Sequence, residues 1–125
     1  MREELRRRAR ERERLIEALE TYAESLSEEL GRVSLILFGS YARGDFNLWS
    51  DIDVIVISEA FEGMEFVRRG LVIEDPFGRL SPICWTPEEF RSMVAKPSWR
   101  RALRGSVILR DEHGVTKLLR GMVSQ

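Results

Sequence analysis

The sequence predicts one α/β domain on the strength of three observations. A long helical repeat of apolar residues opens the chain, strongly apolar runs of strand length follow at 33–38 and 51–57, and helix-start signals recur between the later strands. With 125 residues the chain is long enough for one core, and it shows no linker, internal repeat or low-complexity segment. We therefore expect a single domain over residues 1–125, beginning with a long helix over about residues 2–30.

The first element is the helix over residues 2–30, which we expect to end at Gly31. Its apolar residues keep the spacing of a helix that packs one face on a core: Leu15, Ile16, Leu19, Tyr22, Ala23, Leu26 and Leu30. Glutamates are interleaved with the arginines of its first turns, which favours a solvated face of Glu–Arg pairs over a phosphate-attracting patch. The apolar stripe should dock, and the arginine-rich start should stay exposed.

Four strands are expected. Residues 33–38 predict the first, and residues 51–57 predict a second that is apolar on both faces and therefore central in the sheet. A third strand within 79–85 contains Pro82, which lacks a backbone donor and favours an edge position or a bulge. Residues 106–110 predict a short last strand.

Helices are predicted between and after these strands. Thr86 has the features of an N-cap, because Pro87 and two glutamates follow it. Besides the first helix, we predict helices over residues 40–43, 59–70 and 111–123. Two more helices are predicted to begin at Pro87 and Pro97.

Composition excludes several classes of protein. The formal net charge of −1 gives no general attraction to nucleic acid, which is not expected as a partner. A single cysteine, Cys84, excludes an internal disulfide, and one histidine leaves no Cys/His set for zinc. No apolar stretch approaches the roughly 20 residues of a membrane span, and the charged start lacks a signal-peptide centre. We expect a cytoplasmic protein with no membrane partner.

The stretch LFGSYARGDFNLWSDIDVIVI, residues 37–57, contains a candidate phosphate-binding turn. Gly39 follows a buried strand and lets the backbone turn sharply, so that a phosphate can approach closely. The free N–H groups of the following helix start and the Ser40 hydroxyl then offer donors to phosphate oxygens. Taken alone, a Gly-Ser turn is common and need not bind a ligand.

Two carboxylates follow in the same stretch. Asp51 and Asp53 are two residues apart in the expected strand, so they should point to one face and converge on Mg²⁺. Without further context, they could instead cap a loop or pair with Arg43.

Other chemistries fit the sequence less well. A P-loop requires a lysine where Asp45 stands. A nucleophilic triad would need His113, which we expect in a surface turn, and Cys84 is expected to be a buried, inert thiol. Trp49, Trp85 and Trp99 are expected in the core or an interface, although Trp49 could instead line a nucleotide site.

The combination is more specific than its parts. GSYARG, five intervening residues and then SDID closely resemble the signature of the DNA polymerase β-like nucleotidyltransferase superfamily, and most of all the minimal nucleotidyltransferases of bacteria and archaea. This resemblance implies the nucleotidyltransferase fold, in which a small mixed sheet is flanked by helices.

The resemblance also assigns roles by position. Gly39 and Ser40 match the residues that hold the β- and γ-phosphates of a nucleotide. Asp51 and Asp53 match the catalytic carboxylates that bind Mg²⁺, and Arg43 matches the family's Arg-Gly pair at the nucleotide site, where it balances charge. The implied cofactor is Mg²⁺ and the implied substrate is a nucleoside triphosphate.

One expected residue is missing. Members of this family usually add a third carboxylate from the next strand, where this chain has Ser81. Glu74 and Asp75 have the features of turn residues, and Glu88 and Glu89 are better explained as acids in the first turn of a helix.

The resemblance implies transfer of a nucleoside monophosphate, AMP from ATP, to a hydroxyl of a partner protein. In this family the frequent arrangement is an antitoxin that modifies a tyrosine of a helical HEPN toxin. The alternative is a weakened binding module that keeps the fold and neutralises its partner by contact alone. The acceptor, the preferred base and the existence of a homodimer are left open by the sequence.

Overall fold

The computed structural model describes residues 1–123, which form a four-stranded mixed sheet between two layers of helices. The predicted α/β fold class is confirmed. The first half of the chain forms α1 (Arg2–Leu30), β1 (Ser34–Phe38), α2 (Gly39–Arg43), β2 (Ile52–Ile57) and α3 (Phe66–Arg69), the last flanked by single 3-10 turns at Glu59–Phe61 and Gly70–Val72. The second half forms β3 (Leu80–Trp85), α4 (Pro87–Val94), α5 (Pro97–Ala102), β4 (Val107–Arg110) and α6 (Val115–Val123).

The strand order is β3-β2-β1-β4, which makes β2 central and β3 an edge strand, as predicted. β1 pairs antiparallel with both β2 and β4, whereas β2 and β3 run parallel. Pro82 lies in β3 opposite Val54, where its missing N–H costs no interior pairing. As a result, the C-terminal end of β1 lies beside the N-terminal ends of β2 and β3, at one end of the strands.

Strand alternation divides the core into two halves. Leu35, Leu37, Val54 and Val56 face α1, and the intervening isoleucines of β1 and β2 face α4 and α6. Because successive side chains point to opposite faces, a slip of one residue between β1 and β2 would exchange the two sets. The register of this strand pair is therefore strongly specified by both halves of the core.

α1 docks through the predicted stripe, since Leu15, Leu19, Tyr22, Ala23 and Leu26 are all buried. Its arginine-rich start is mostly exposed, but Arg12 contradicts the prediction. The half-buried side chain of Arg12 donates hydrogen bonds to backbone carbonyls of α2. Within the part of the chain that the structure describes, no helix combines the length and apolar character needed to cross a membrane.

The predicted helix over residues 59–70 is wrong. Gly63, with φ of +79°, interrupts it, and only short turns and the single-turn α3 form. Phe66 and Val67 lie within the predicted helix, but they are 55% and 80% exposed. Among the large apolar residues of this segment, only Phe61 is fully buried, which leaves too little burial to stabilise a longer helix.

Three smaller predictions are also corrected. His113 is not a surface residue, because its side chain is only 3% exposed and its ring nitrogens contact Ser34 Oγ and Glu59 Oε1, both at 2.7 Å. Trp49 belongs to no core, being 90% exposed. α6 begins at Val115 rather than at residue 111, because the Asp111 carboxylate accepts hydrogen bonds from the amides of its first turn.

We predict that removal of residues 1–8 will leave the thermal midpoint within about 3 °C of the intact chain, because exposed positions contribute under about 0.5 kcal/mol. Leu19→Ala is the contrasting variant. Leu19 is fully buried, so its truncation should cost about 2–5 kcal/mol. Thermal unfolding followed by circular dichroism tests both. A fall of ten degrees or more for the shortened chain would show that its start is packed, as it would be at a subunit interface.

Candidate active site

The antiparallel register of β1 and β2 places the glycine turn against a carboxylate. Phe38, the last residue of β1, pairs with Asp53 near the start of β2, so that Gly39 lies beside the Asp53 side chain. Gly39 has φ of +74°, and a Cβ there would overlap Asp53 Oδ2 and approach its Cγ to 3.2 Å. Glycine is therefore required at position 39 both by the backbone and by the neighbouring carboxylate.

Gly39 and Ser40 form the first turn of α2, which is only five residues long. Gly44 closes this helix in the left-handed conformation, and its N–H donates to the Ser40 carbonyl at 2.8 Å. Tyr41 is buried beneath the turn and stacks on Phe46, with 4.2 Å between ring centroids. The turn is thus held by packing below and by hydrogen bonds at its end.

Asp51 and Asp53 lie together, although not both within the strand. The strand that was expected over 51–57 begins at Ile52, so Asp51 lies in the preceding loop and is exposed. Burial raises the pKa of the Asp53 carboxyl, the negative charge of Asp51 raises that pKa further, and Arg43 lowers it. The two carboxylates therefore act on each other electrostatically beside the Gly39 turn.

Arg43 supplies the opposing positive charge at this edge of the sheet. Its Nε lies 3.3 Å from Asp45 Oδ2, and both side chains are more than half exposed. The guanidinium is thus engaged mainly with Asp45 while still acting on Asp53 through space. This arrangement leaves the Asp51–Asp53 pair without a direct ionic partner among the contacts that the structure describes.

Ser81 lies beside Asp53 in the parallel register of β2 and β3. Residues in register on neighbouring strands project to the same face, and Ser81 is exposed. A hydroxyl group therefore occupies the position expected for the third carboxylate. Asp75 does not replace that carboxylate, because its oxygens accept hydrogen bonds from the amides of Phe77, Gly78 and Leu80. Glu89 likewise closes the capping box of α4.

The donor set fits a magnesium ion that arrives with a nucleotide. Residues 1–123 contain no group of three or more histidine, cysteine, aspartate or glutamate side chains that could enclose a metal. Mg²⁺, however, is usually held by one or two carboxylates, with substrate phosphates and waters as its remaining ligands. Asp51 and Asp53 supply that number of carboxylates, and burial together with the negative charge of Asp51 raises the pKa of Asp53.

A cavity of about 610 Å³ lies at the opposite end of the strands. Arg32, Glu59, Glu89 and Arg91 are among the residues that line it. Several of its charges are already paired, including Arg32 with Glu59. Its volume alone would make this cavity a candidate site, but the glycine turn and the carboxylate pair lie at the other end of the strands.

Sequence reasoning missed one feature of the candidate site, the contact of Arg12, and placed Trp49 only in part. Arg12 contacts α2 from a position about 30 residues earlier in the chain, and no local pattern indicates such a contact. Trp49 lies exposed on the loop before Asp51. The backbone N–H of Trp49 donates a hydrogen bond to the carboxamide oxygen of Asn47 at 2.8 Å. The proposal that Trp49 could line a nucleotide site remains open, whereas its expected place in a core is excluded.

The mixed α/β fold and the glycine turn packed against a carboxylate define a nucleotidyltransferase-like domain. A family model described as a nucleotidyltransferase domain matches residues 19–101. The chain therefore belongs to the nucleotidyltransferase domain family, which confirms the resemblance to the DNA polymerase β-like superfamily.

A solved structure supports the same fold. A crystal structure at 1.40 Å of a candidate nucleotidyltransferase from Sulfolobus solfataricus superimposes with a TM-score of 0.56 and 19% sequence identity, covering 81% of this chain and 84% of that one. A search of curated proteins finds no match. The comparisons establish the fold and the family, and they leave the acceptor of any transferred group unassigned.

We predict that Gly39→Ala will destabilise the protein more than Gly44→Ala. Both glycines have positive φ, which costs alanine about 1–2 kcal/mol, but a Cβ at Gly44 meets no atom within 4 Å. Overlap with Asp53 should add roughly 1–3 kcal/mol at Gly39. Urea denaturation measures both. In an Asp53→Ala background the excess cost should shrink, and equal costs for the two glycines in the wild type would contradict the described contact.

We predict that Asp53→Asn will stabilise the metal-free protein at neutral pH. The folded-state pKa of Asp53 is raised, so the folded protein binds this proton more readily than the unfolded chain. Stability is therefore lost as the pH rises from the ordinary aspartate pKa through the raised folded-state pKa. Denaturation in EDTA at several pH values should show the advantage of the variant at pH 7 and its disappearance below about pH 4. A pH-independent difference would exclude this origin.

Proposed function

We propose that the protein is a Mg²⁺-dependent nucleotidyltransferase that moves AMP from ATP to a hydroxyl group of a partner protein, carried by a single domain over residues 1–125. The observation that supports this most directly is the packing of Gly39 against Asp53, with Asp51 alongside. Donors suited to phosphate and carboxylates suited to Mg²⁺ therefore lie side by side.

In this proposal the chain acts mainly by binding and orienting. The N–H groups at the start of α2 and the Ser40 hydroxyl donate to the β- and γ-phosphates, and Arg43 balances charge at the same edge. Asp51 and Asp53 hold Mg²⁺. The bound ion supplies charge neutralisation and polarises the phosphate oxygens. Holding the triphosphate rigidly against an acceptor accounts for much of the catalysis in such a transfer.

The transfer itself forms one bond and breaks one. The acceptor hydroxyl gives up its proton to solvent, its oxygen attacks the α-phosphorus, the bond from that phosphorus to the bridging oxygen breaks, and pyrophosphate leaves. Ser81 cannot take up the acceptor proton as a carboxylate would, and general-base help is typically worth 10²–10⁴-fold. A tyrosine acceptor tolerates this loss better than an aliphatic alcohol, because its pKa near 10 eases deprotonation.

A protein acceptor follows from the resemblance to minimal nucleotidyltransferases, in which an antitoxin modifies a HEPN-domain toxin. We propose such a toxin as the partner. A second candidate function is favoured by Ser81: a module that still binds nucleotide but neutralises its partner by contact alone. Transfer of label from ATP to the partner separates the two, because contact alone leaves the partner unmodified.

We predict that ATP binds in the presence of Mg²⁺ and that Asp51→Asn/Asp53→Asn weakens this binding by at least tenfold, since the variant removes both carboxylates proposed to hold the ion. Isothermal titration calorimetry measures the affinity. Glu88→Gln is the matched control, because Glu88 is an exposed acid on the helix after β3. Equal affinities for the wild type and the double variant would refute the proposed site.

We predict that Ser81→Asp will raise transfer from labelled ATP to a HEPN partner and that Asp53→Ala will abolish it. The new carboxylate would lie in register with Asp53, where a base for the acceptor is missing. Glu74→Gln and Asp75→Asn should leave transfer unchanged. If either neutralisation stops transfer while ATP still binds, a third carboxylate is already present and the role given to Ser81 is wrong.

A further inference from the structure

We propose that Arg12 is a positioning residue, which orients the phosphate-binding turn by holding the far end of α2. This inference rests on the proposed function of the Gly39–Ser40 turn. Arg12 Nε donates to the Tyr41 carbonyl at 3.1 Å and to the Ala42 carbonyl at 3.2 Å, and its Nη2 donates to the Ala42 carbonyl at 2.9 Å. One guanidinium thus serves two successive carbonyls.

α2 needs an external support of this kind. A helix of five residues is unstable by itself, because nucleation costs more than its few hydrogen bonds return. The Ser40 carbonyl is satisfied locally by the N–H groups of Gly44 and Asp45. The next two carbonyls, which point out of the helix end, receive Arg12 instead. A positive charge at this end also complements the helix dipole.

Arginine suits this position better than lysine. Its planar group presents several N–H donors in a fixed arrangement, whereas a lysine ammonium is a point charge on a flexible stem. The helix backbone near Arg12 is held in place as well, because Leu15 and Leu19 follow on α1 and pack in the same core as Tyr41. The contact therefore connects the rigid part of α1 to the end of α2, and through α2 to Gly39 and Ser40.

Arg12 also lies outside the part of the chain that the family describes. The nucleotidyltransferase domain model matches residues 19–101, so residues 2–18 of α1 precede the match. The family match therefore assigns no role to the contact between Arg12 and α2. Loss of it should leave the carboxylates in place and disorder only the donors at the start of α2.

The test compares Arg12→Ala, Arg12→Lys and Arg10→Ala for ATP affinity with Mg²⁺, well below their unfolding temperatures. Arg10 is an exposed arginine on the same helix. We expect Arg12→Ala to weaken binding by roughly tenfold or more, the scale of a hydrogen bond to a charged group. Arg12→Lys should recover part of the affinity, and Arg10→Ala should match the wild type. Equal affinity for Arg12→Ala and the wild type would overturn the inference.

Two further measurements separate positioning from general stability. Val94→Ala removes a fully buried group from the opposite half of the core. If it weakens ATP binding as much as Arg12→Ala does at a similar loss of stability, Arg12 has no specific role. Hydrogen exchange of the Gly44 and Asp45 amides, measured without nucleotide, should accelerate in Arg12→Ala and stay unchanged in Arg10→Ala. Unchanged exchange in Arg12→Ala would also overturn the inference, whereas a wild type that binds no ATP would refute the proposed function instead.

Discussion

The pairing of Phe38 with Asp53 across the first two strands is the constraint on which the core and the candidate site both depend. The same register that buries Leu35 and Leu37 towards α1 brings the backbone of Gly39 against the Asp53 carboxylate. A slip of one residue would turn the apolar side chains to the wrong faces and would separate the glycine turn from the carboxylate. Burial of the core thereby fixes where the glycine turn meets the carboxylate, while Arg12 holds the far end of α2.

The arrangement has an energetic consequence. Asp53 is partly buried beside Asp51, and Arg43, the nearby cation, already contacts Asp45. Like charges held together in a partly desolvated place oppose folding until a cation neutralises them. The destabilisation is tolerated because both halves of the core stabilise the strands that carry the site. A divalent ion bound with triphosphate would relieve this repulsion, so binding and stability are coupled at the same two carboxylates.

Much of the fold and the centre of the site follow from local sequence. The stripe of α1, the central apolar strand and the edge strand that contains Pro82 each follow from the chemistry of neighbouring residues. The segment 59–70 was mispredicted because apolar spacing does not show whether a face finds a partner, and Gly63 then breaks the helix. The site motif lies within one short stretch, which made its members recognisable. Arg12 was missed because its contact joins distant parts of the chain, and only the packing of α1 determines where its side chain reaches.

The proposed site requires that phosphate and metal bind together where the Gly39 turn meets the two aspartates. Anomalous scattering from crystals grown with Mn²⁺ and a non-hydrolysable ATP analogue tests it most directly, because the anomalous signal locates the ion independently of the surrounding protein. We expect a metal peak between the carboxylates of Asp51 and Asp53, with the β- and γ-phosphates against the backbone N–H groups that follow Phe38. A nucleotide bound instead in the 610 Å³ cavity at the opposite end of the strands, with no metal peak at the aspartates, would refute the proposed site.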